Sequence, residues 1–295
     1  MTTTVEDLRS IDHACAVPIS DEQLWEMAAA FLAHGLASGE HVVYFDDGTS
    51  EAVLDRMADD GVAVAGPMRE GRFTLVPTAV TRTFVRGRVA ELADIVATTA
   101  ERAIAQGFPG VRMTGRLGYG SQRSDDGSLR DYDQVFDELV RRGRVRVLCL
   151  YDRNHYPDEV VEAARARHRT EVVAPAIYDD GLLRITATGP AAARVAGEVD
   201  HSNHGRIRKH LEAALDHALR SPDAPTDITL DLSTLRFLDV ASAVNLVHAA
   251  EQFPDAHRLV ITGVRPRVQR VLDRCGAPFA PQLVVLPRSD APDTR

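Results

Sequence analysis

Short apolar runs, none longer than a single strand, alternate with stretches of helical period along most of this chain, and that alternation leaves few folds open. His41-Val-Val-Tyr-Phe45, Phe73-Thr-Leu-Val76, Gly110-Val-Arg-Met-Thr114 and Arg144-Val-Arg-Val-Leu-Cys-Leu-Tyr151 read as buried strands. Between them the spacing predicts helices. One has Ser20 as N-cap, Asp21 and Glu22 in its first turn, and Leu24, Met27, Ala28, Phe31 and Leu32 on one face; others fall near 50–59, 83–106, 131–141 and 157–167. Strands followed by helices through short connections predict a mainly parallel sheet with helices on both faces.

The pattern changes near Ala174-Pro-Ala-Ile-Tyr-Asp-Asp-Gly181, a turn-rich stretch that predicts a boundary between domains at 1–176 and 177–295. Beyond it, Leu182–Ala187 and Ala193–Val199 read as paired strands, followed by a helix with Ile207, Leu211, Leu215 and Leu219 on one face. Three further strands follow at Ile228–Leu232, Leu259–Thr262 and Leu283–Leu286, separated by helices at 240–251 and 266–275. The tail Ser289–Arg295 is expected to fray. At 295 residues the chain has room for two buried cores.

Charge excludes some functions. Residues 1–176 carry 20 Arg against 28 Asp and Glu, and residues 177–295 carry 14 basic against 15 acidic side chains, so neither half has the basic excess of a nucleic-acid binder. No apolar run is long enough to span a bilayer, and the N-terminus lacks the basic start and apolar core of a signal peptide. No membrane association and a cytoplasmic location are expected. Cys15, Cys149 and Cys275 stand singly, and His201, His204 and His210 do not share one convincing face; neither metal nor cofactor is assigned.

Two segments carry most of the chemistry. In Asp231-Leu-Ser-Thr-Leu-Arg-Phe-Leu-Asp239-Val-Ala-Ser242, a strand stops at an aspartate and a helical pattern starts directly after it; upstream, Gly197-Glu198-Val-Asp200 ends another strand. Together they resemble the STAS domain of bacterial anti-sigma factor antagonists over roughly residues 178–288. That resemblance implies a strand pair followed by three helix–strand alternations, and a partner that is an anti-sigma factor or a serine kinase with an ATPase fold. It also implies a switch loop in which the kinase phosphorylates a serine at the helix N-terminus. Asp200, Asp239, Val240, Ala241 and Ser242 fall on that loop. The acceptor position holds Ala241, and Ser242, one residue further, is the candidate displaced acceptor or an ordinary early helix serine. Asp239 is a recognition residue or a helix cap.

The N-terminal half, around His34-Gly-Leu-Ala-Ser-Gly39 and Asp46-Asp47, resembles RecA-like ATPases of the circadian-clock type, in which two acidic residues after this strand assist ATP hydrolysis. A phosphate-binding loop G-x-x-x-x-G-K-[ST] is missing: Ile11–Ser20 contains neither glycine nor lysine. His13-Ala-Cys15, Val111-Arg112-Met-Thr-Gly115-Arg116 and Leu148-Cys149-Leu-Tyr151-Asp152-Arg153 make residues about 10–172 resemble the MEDS sensory domain, which implies a small-molecule ligand. Arg116 and Tyr119 depart from that family's usual acidic residue and tryptophan.

Ligands of open α/β sheets bind where strands end. A pocket is therefore expected around Arg112, Thr114, Tyr151 and Asp152, with His13 and Cys15 at its rim; those last two could coordinate a metal or line the pocket, but without a third donor nearby the pair favours simple packing at the mouth of the sheet. Asp46 and Asp47 read as a helix cap or solvated loop. The chain is expected to be a non-enzymatic signalling regulator, a sensor coupled to a STAS module. The alternative is a degenerate RecA-like nucleotide-binding protein or enzyme.

Overall fold

A computed structural model describes residues 2–5, 7, 12–86, 89–116, 126–220 and 225–288, with the side chains of 83–86 and 126–129 excepted; Tyr119 and the tail Ser289–Arg295 lie outside the described residues. The chain divides into two compact units, Met1–Ala174 and Pro175–Arg295.

In the first unit, strands β1 (Thr2–Thr4), β2 (His13–Ala16), β3 (His41–Phe45), β4 (Phe73–Val76), β5 (Val111–Gly115), β6 (Val145–Leu150) and β7 (Thr170–Val173) form one sheet in the order β1-β7-β2-β6-β5-β3-β4, every pairing parallel. Parallel neighbours require crossovers, supplied by α1 (Asp21–Ala37), α2 (Ser50–Asp59), α3 (Ala65–Arg69), α4 (Thr78–Arg86), α5 (Val89–Ala105), α6 (Asp126–Arg141) and α7 (Asp158–Arg167). The expected helix 83–106 falls on α4 and α5, and residues 87–88 between them lie outside the described residues.

Alternate residues of each strand face opposite cores. Ala14, Ala16, Val42, Tyr44, Leu148 and Leu150 pack against Leu24, Met27, Phe31 and Leu32 of α1 and Val53 and Met57 of α2. Cys15, Val43, Phe45, Val111, Met113, Val147 and Cys149 pack against Leu92 and Val96 of α5, Phe136 of α6 and Val161 of α7. Burial of one such large apolar side chain contributes about 1.5–3 kcal/mol. Because both faces are covered, β3 and β5 are buried at every position. The start of α1 is closed by its own residues: the Ser20 hydroxyl accepts from Gln23 N, and Gln23 Oε1 accepts from Ile19 N.

The second unit holds β8 (Tyr178–Asp179), β9 (Leu183–Gly189), β10 (Ala192–Val199), α8 (His204–Arg220), β11 (Asp227–Asp231), β12 (Leu235–Leu238), α9 (Val240–Glu251), β13 (Arg258–Val264), α10 (Pro266–Arg274) and β14 (Leu283–Pro287). Its sheet runs β14-β13-β11-β10-β9-β8, with β12 also on β10; β9 is antiparallel to its neighbours and the other pairings are parallel. Strand β11 alternates buried Ile228 and Leu230 with half-buried Asp227, Thr229 and Asp231, as a sheet covered on one face should. Its single core gathers Ile207 and Leu211 of α8, Leu246 and Val247 of α9, and Val268 and Leu272 of α10.

β10 pairs with β11 through Ala192–Arg194 and with β12 through Gly197–Val199. The register shifts between Gly197 and Glu198, where Gly197 takes φ +90°, a conformation that favours glycine. The bulge leaves Val199 beside Leu238, so Asp200 and Asp239 leave the sheet next to one another.

Candidate functional site

The neighbouring strands β3, β5 and β6 end together, and charged residues follow within two positions: Asp46 and Asp47 after β3, Arg116 after β5 and Asp152 after β6. Arg116 donates through Nε to Asp47, and through Nη1 to Asp152 Oδ2 at 2.8 Å; His155 Nδ1 lies 2.7 Å from the same Oδ2. The Arg116, Asp47 and Asp152 side chains are all at most 5% exposed. Burial alone would lower the affinity of Arg116 for its proton, but the Asp47 and Asp152 charges outweigh it and raise its pKa. Asp46 takes the Thr78 hydroxyl and the N–H groups of Gly48 and Ser50, so it shapes the loop before α2. Burial would raise the Asp46 pKa, yet these hydrogen bonds together hold it below the usual carboxylate range. Asp46 thus works as a cap-like loop residue, whereas Asp47 is buried and ion-paired and is not part of a solvated loop.

The six residues expected to line one strand-end pocket do not meet there. Arg112 is the second residue of β5 and lies at the opposite, amino end of the sheet. It pairs with Glu40, which also holds Arg146, and its guanidinium carbon sits 4.9 Å from the Phe31 ring centroid. Burial lowers the Arg112 pKa, against the opposing pull of Glu40. Thr114 spends its hydroxyl on the Leu148 carbonyl at 2.7 Å. Cys15 is fully buried in apolar packing, and burial pushes its thiol pKa up to about 12, assisted by the Glu171 charge. Asp152 joins Arg116, while His13 and Tyr151 belong to a third place. The expectation that they meet rests on Arg112 standing near the end of its strand, whereas it is near the start.

That third place is the richest in chemistry. His13 opens β2 and points to the face covered by α6 and α7. Its Nε2 lies 3.4 Å from Cys149 Sγ on β6 and 3.1 Å from Nε2 of His168, the residue that ends α7. Its Nδ1 lies 2.6 Å from Asp137 Oδ1, and one helical turn earlier Asp133 Oδ1 lies 3.8 Å from His168 Nε2. Tyr151 donates its hydroxyl to Asp133 Oδ1 at 2.6 Å, and Arg167 Nε lies 3.1 Å from Asp133 Oδ2. The donor atoms of His13, Asp133, Cys149 and His168 all lie within 4.8 Å of one another. A cavity of about 370 Å³, lined by His13, Asp137, Arg141, Arg167 and His168 among others, opens beside them. Burial lowers the His168 pKa, reinforced by the neighbouring His13, and burial raises those of Cys149 and Tyr151 well above their usual values.

His13 does have side chains with donor atoms near it, although none is nearby in sequence. Its companions come from residues 133, 149 and 168, and Cys15, two residues away, is not among them. No local spacing could reveal this set. Only the parallel pairing of β2 with β6, His13 against Val147 and Cys15 against Cys149, brings it together.

In the second unit, Asp239 caps α9 by accepting from Ser242 N at 2.7 Å, while Asp239 N donates to the Val199 carbonyl. Asp200 accepts from the N–H and hydroxyl of Ser202, and these bonds, in that order after the hydroxyl, hold its pKa below the usual range. Phe237 is 48% exposed, Val240 65%, and Ala241 is exposed as well. Ser242 is 2% exposed, and its hydroxyl, buried without a hydrogen-bond partner, faces residues of α8 such as Ile207 and Leu211. A kinase cannot reach it there without opening the α8–α9 packing, so Ser242 reads as a packed helix serine and not as a displaced acceptor.

Residues 12–169 match the family described as MEDS, the methanogen/methylotroph DcmR sensory domain, and residues 186–278 match the STAS domain family described as Mlab, STAS domain. No curated protein matches the chain. Among solved structures it is similar to the uncharacterized protein PH0321 from Pyrococcus horikoshii, crystallised in complex with an unknown peptide, at 13% identity and TM-score 0.43 over 61% of this chain and 85% of that one. It is also similar to the flagellar accessory protein FlaH from Methanocaldococcus jannaschii, at 9% identity and TM-score 0.38 over 63% and 78%. At these scores neither likeness bears on function. With more than half of its length matched, the chain belongs to the MEDS family, its sensory domain built on a parallel seven-stranded sheet and followed by a STAS domain in the arrangement of a signalling regulator.

Proposed function

We propose that this chain is a non-enzymatic cytoplasmic regulator in which the MEDS unit receives a chemical input and the STAS unit binds an anti-sigma factor or a serine kinase with an ATPase fold. The observation that carries this reading is the surface around α9. Asp200 and Asp239 emerge side by side from β10 and β12, flanked by exposed Phe237, Val240 and Ala241. An apolar centre with acidic neighbours is a recognition surface of ordinary anatomy. With alanine at the exposed position and the neighbouring serine hydroxyl buried, binding there lacks phosphate control, since a phosphate would add about 1.5 to 2 negative charges to the interface. Among the described residues, no helix is long and apolar enough to cross a membrane.

Nucleotide chemistry finds little support. The N-terminus of α1 is occupied by Ser20 and Gln23, and Asp47 is committed to Arg116. Titration with Mg-ATP should give no specific heat; a micromolar site abolished by Asp46→Asn would instead favour the nucleotide-binding alternative.

The partner reading is tested with the full chain as bait in native lysate, mass spectrometry identifying what is captured, followed by titration of the purified pair. The expected partner is a serine kinase of the ATPase fold, bound at least tenfold more weakly by Phe237→Asp and Val240→Asp. With ATP, the wild-type mass should stay unchanged while Ala241→Ser gains one phosphate. Phosphorylation of wild-type Ser242 with release of the partner, or affinity indifferent to both surface charges, would sink the reading.

A further inference from the structure

We propose that His13, His168, Cys149 and Asp133 form a tetrahedral binding site for one zinc(II) ion. The inference concerns the MEDS unit alone and stands whether or not the STAS unit binds a kinase.

The first argument is the direction of the imidazole protons. His13 Nδ1 faces the Asp137 carboxylate at 2.6 Å, and His168 Nδ1 faces the Ala164 carbonyl at 2.8 Å. Both partners can only accept, so each neutral ring carries its proton on Nδ1 and turns a bare lone pair outward from Nε2. Those two lone pairs confront each other across 3.1 Å, with Cys149 Sγ 3.4 Å from one of them. Two acceptors so close repel unless something positive lies between them.

The second argument is fit. Zinc binds imidazole nitrogen and carboxylate oxygen at about 2.0–2.2 Å and thiolate at about 2.3 Å, so nitrogen ligands around a tetrahedral ion stand roughly 3.3 Å apart. The observed 3.1 Å between Nε2 atoms and 3.4 Å from Nε2 to Sγ are near those spacings, and Asp133, 3.8 Å from His168 Nε2, needs only a small approach. Nitrogen, sulfur and oxygen donors in this mixture are typical of zinc and not of calcium or magnesium. On binding, the Cys149 thiol releases its proton to solvent. Thiolate and carboxylate then neutralise the two charges of the ion, with both histidines neutral.

The third argument is the surrounding shell. Ligating histidines commonly donate their second N–H to a carboxylate or a backbone carbonyl, and ligating carboxylates are themselves hydrogen-bonded. Here Asp137 serves His13, the Ala164 carbonyl serves His168, and the Tyr151 hydroxyl donates to Asp133, which Arg167 also faces as an ion pair at 3.1 Å. The cavity lined by His13 and His168 supplies the way in.

The test uses the full-length chain stripped with a strong chelator and titrated with cobalt(II), whose visible spectrum reports geometry and sulfur ligation. The expected result is one cobalt per chain, intense tetrahedral d–d bands with a thiolate-to-cobalt charge-transfer band, and displacement by one equivalent of zinc(II). Cys149→Ser should abolish the charge-transfer band and Cys15→Ser should keep it. Asp137→Asn, on an exposed carboxylate, should keep the fold and weaken zinc roughly 10-fold or more. A weak octahedral spectrum from the wild-type chain, or a charge-transfer band that survives Cys149→Ser, would overturn the proposal; the first outcome would mean that a shared proton, not a metal, joins the two rings.

Discussion

The two sheets of this molecule differ in how much polar chemistry they enclose. The first is covered on both faces, and it buries Arg112 with Glu40, Arg116 with Asp47 and Asp152, and the His13–His168 group. The second gathers its apolar side chains in one core, buries one ion pair, Arg184 with Asp179, and leaves Phe237, Val240 and Ala241 exposed beside Asp239. A sheet with no wet face can hold polar side chains only if they are paired, so its chemistry is internal and positionally fixed. A sheet with one wet face can present chemistry to a partner without reorganising its interior.

The contrast can be broken from the buried side first. Arg116→Ala strands the Asp47 and Asp152 carboxylates, whose side chains are 3% and 0% exposed, and should cost about 3–5 kcal/mol in chemical denaturation. In the second unit, Ser242→Asp would place an unpaired carboxylate against Ile207 and Leu211 and should cost about 2–4 kcal/mol, showing that the position behaves as core. Gly115→Ala should cost about 1–3 kcal/mol. Its φ is +153°, and a methyl group there would stand 2.6 Å from the Phe45 carbonyl oxygen.

Smaller effects sharpen the comparison on the wet side. Arg194→Ala removes a half-exposed partner of Asp231, 2.7 Å away, and should cost no more than about 1 kcal/mol. Burial pulls the Asp231 pKa up, but hydrogen bonds from Ser233 and the Arg194 charge hold it below the ordinary value. Its contribution is therefore complete above the unfolded carboxylate pKa and lost as pH falls through the lower folded one. Arg194→Ala should move the NMR titration midpoint of Asp231 upward. Ala241→Ser, on an exposed helix start, should change stability by less than about 0.5 kcal/mol, and a larger loss would mean that the position is not free surface.

Much of the architecture was legible because periodicity is a local property. Helix 240–251 and strand Phe73–Val76 have the limits read from the sequence, the strand pair follows from local patterns, and the nearness of Asp200 to Asp239 is what the STAS resemblance implies; of the two readings of Asp239, the cap is the one its bond from Ser242 N bears out. Strands β1, β2 and β7 escaped because Thr2–Thr4, His13–Ala16 and Thr170–Val173 are short and hold mostly small or polar side chains, whereas the equally short Phe73–Val76 has three large apolar ones. That omission mattered. Without β2 as a strand between β6 and β7, nothing connected His13 with Cys149 and His168, whose proximity is a property of sheet order. Arg112 misled for a related reason: the run Gly110–Thr114 defines a strand but not which of its residues stands at which edge of the sheet.

Asp239 and the three residues after it show how narrowly such a loop can evolve. Successive positions on a helix point about 100° apart, so a hydroxyl moved by one residue, from 241 to 242, passes from open solvent to the interior. A modification site at this helix start cannot drift along the chain as sites in unstructured tails do. On the proposed reading it is lost in place and returns in place through a single change at Ala241, so that responsiveness could be switched off and recovered without remodelling the exposed surface around it.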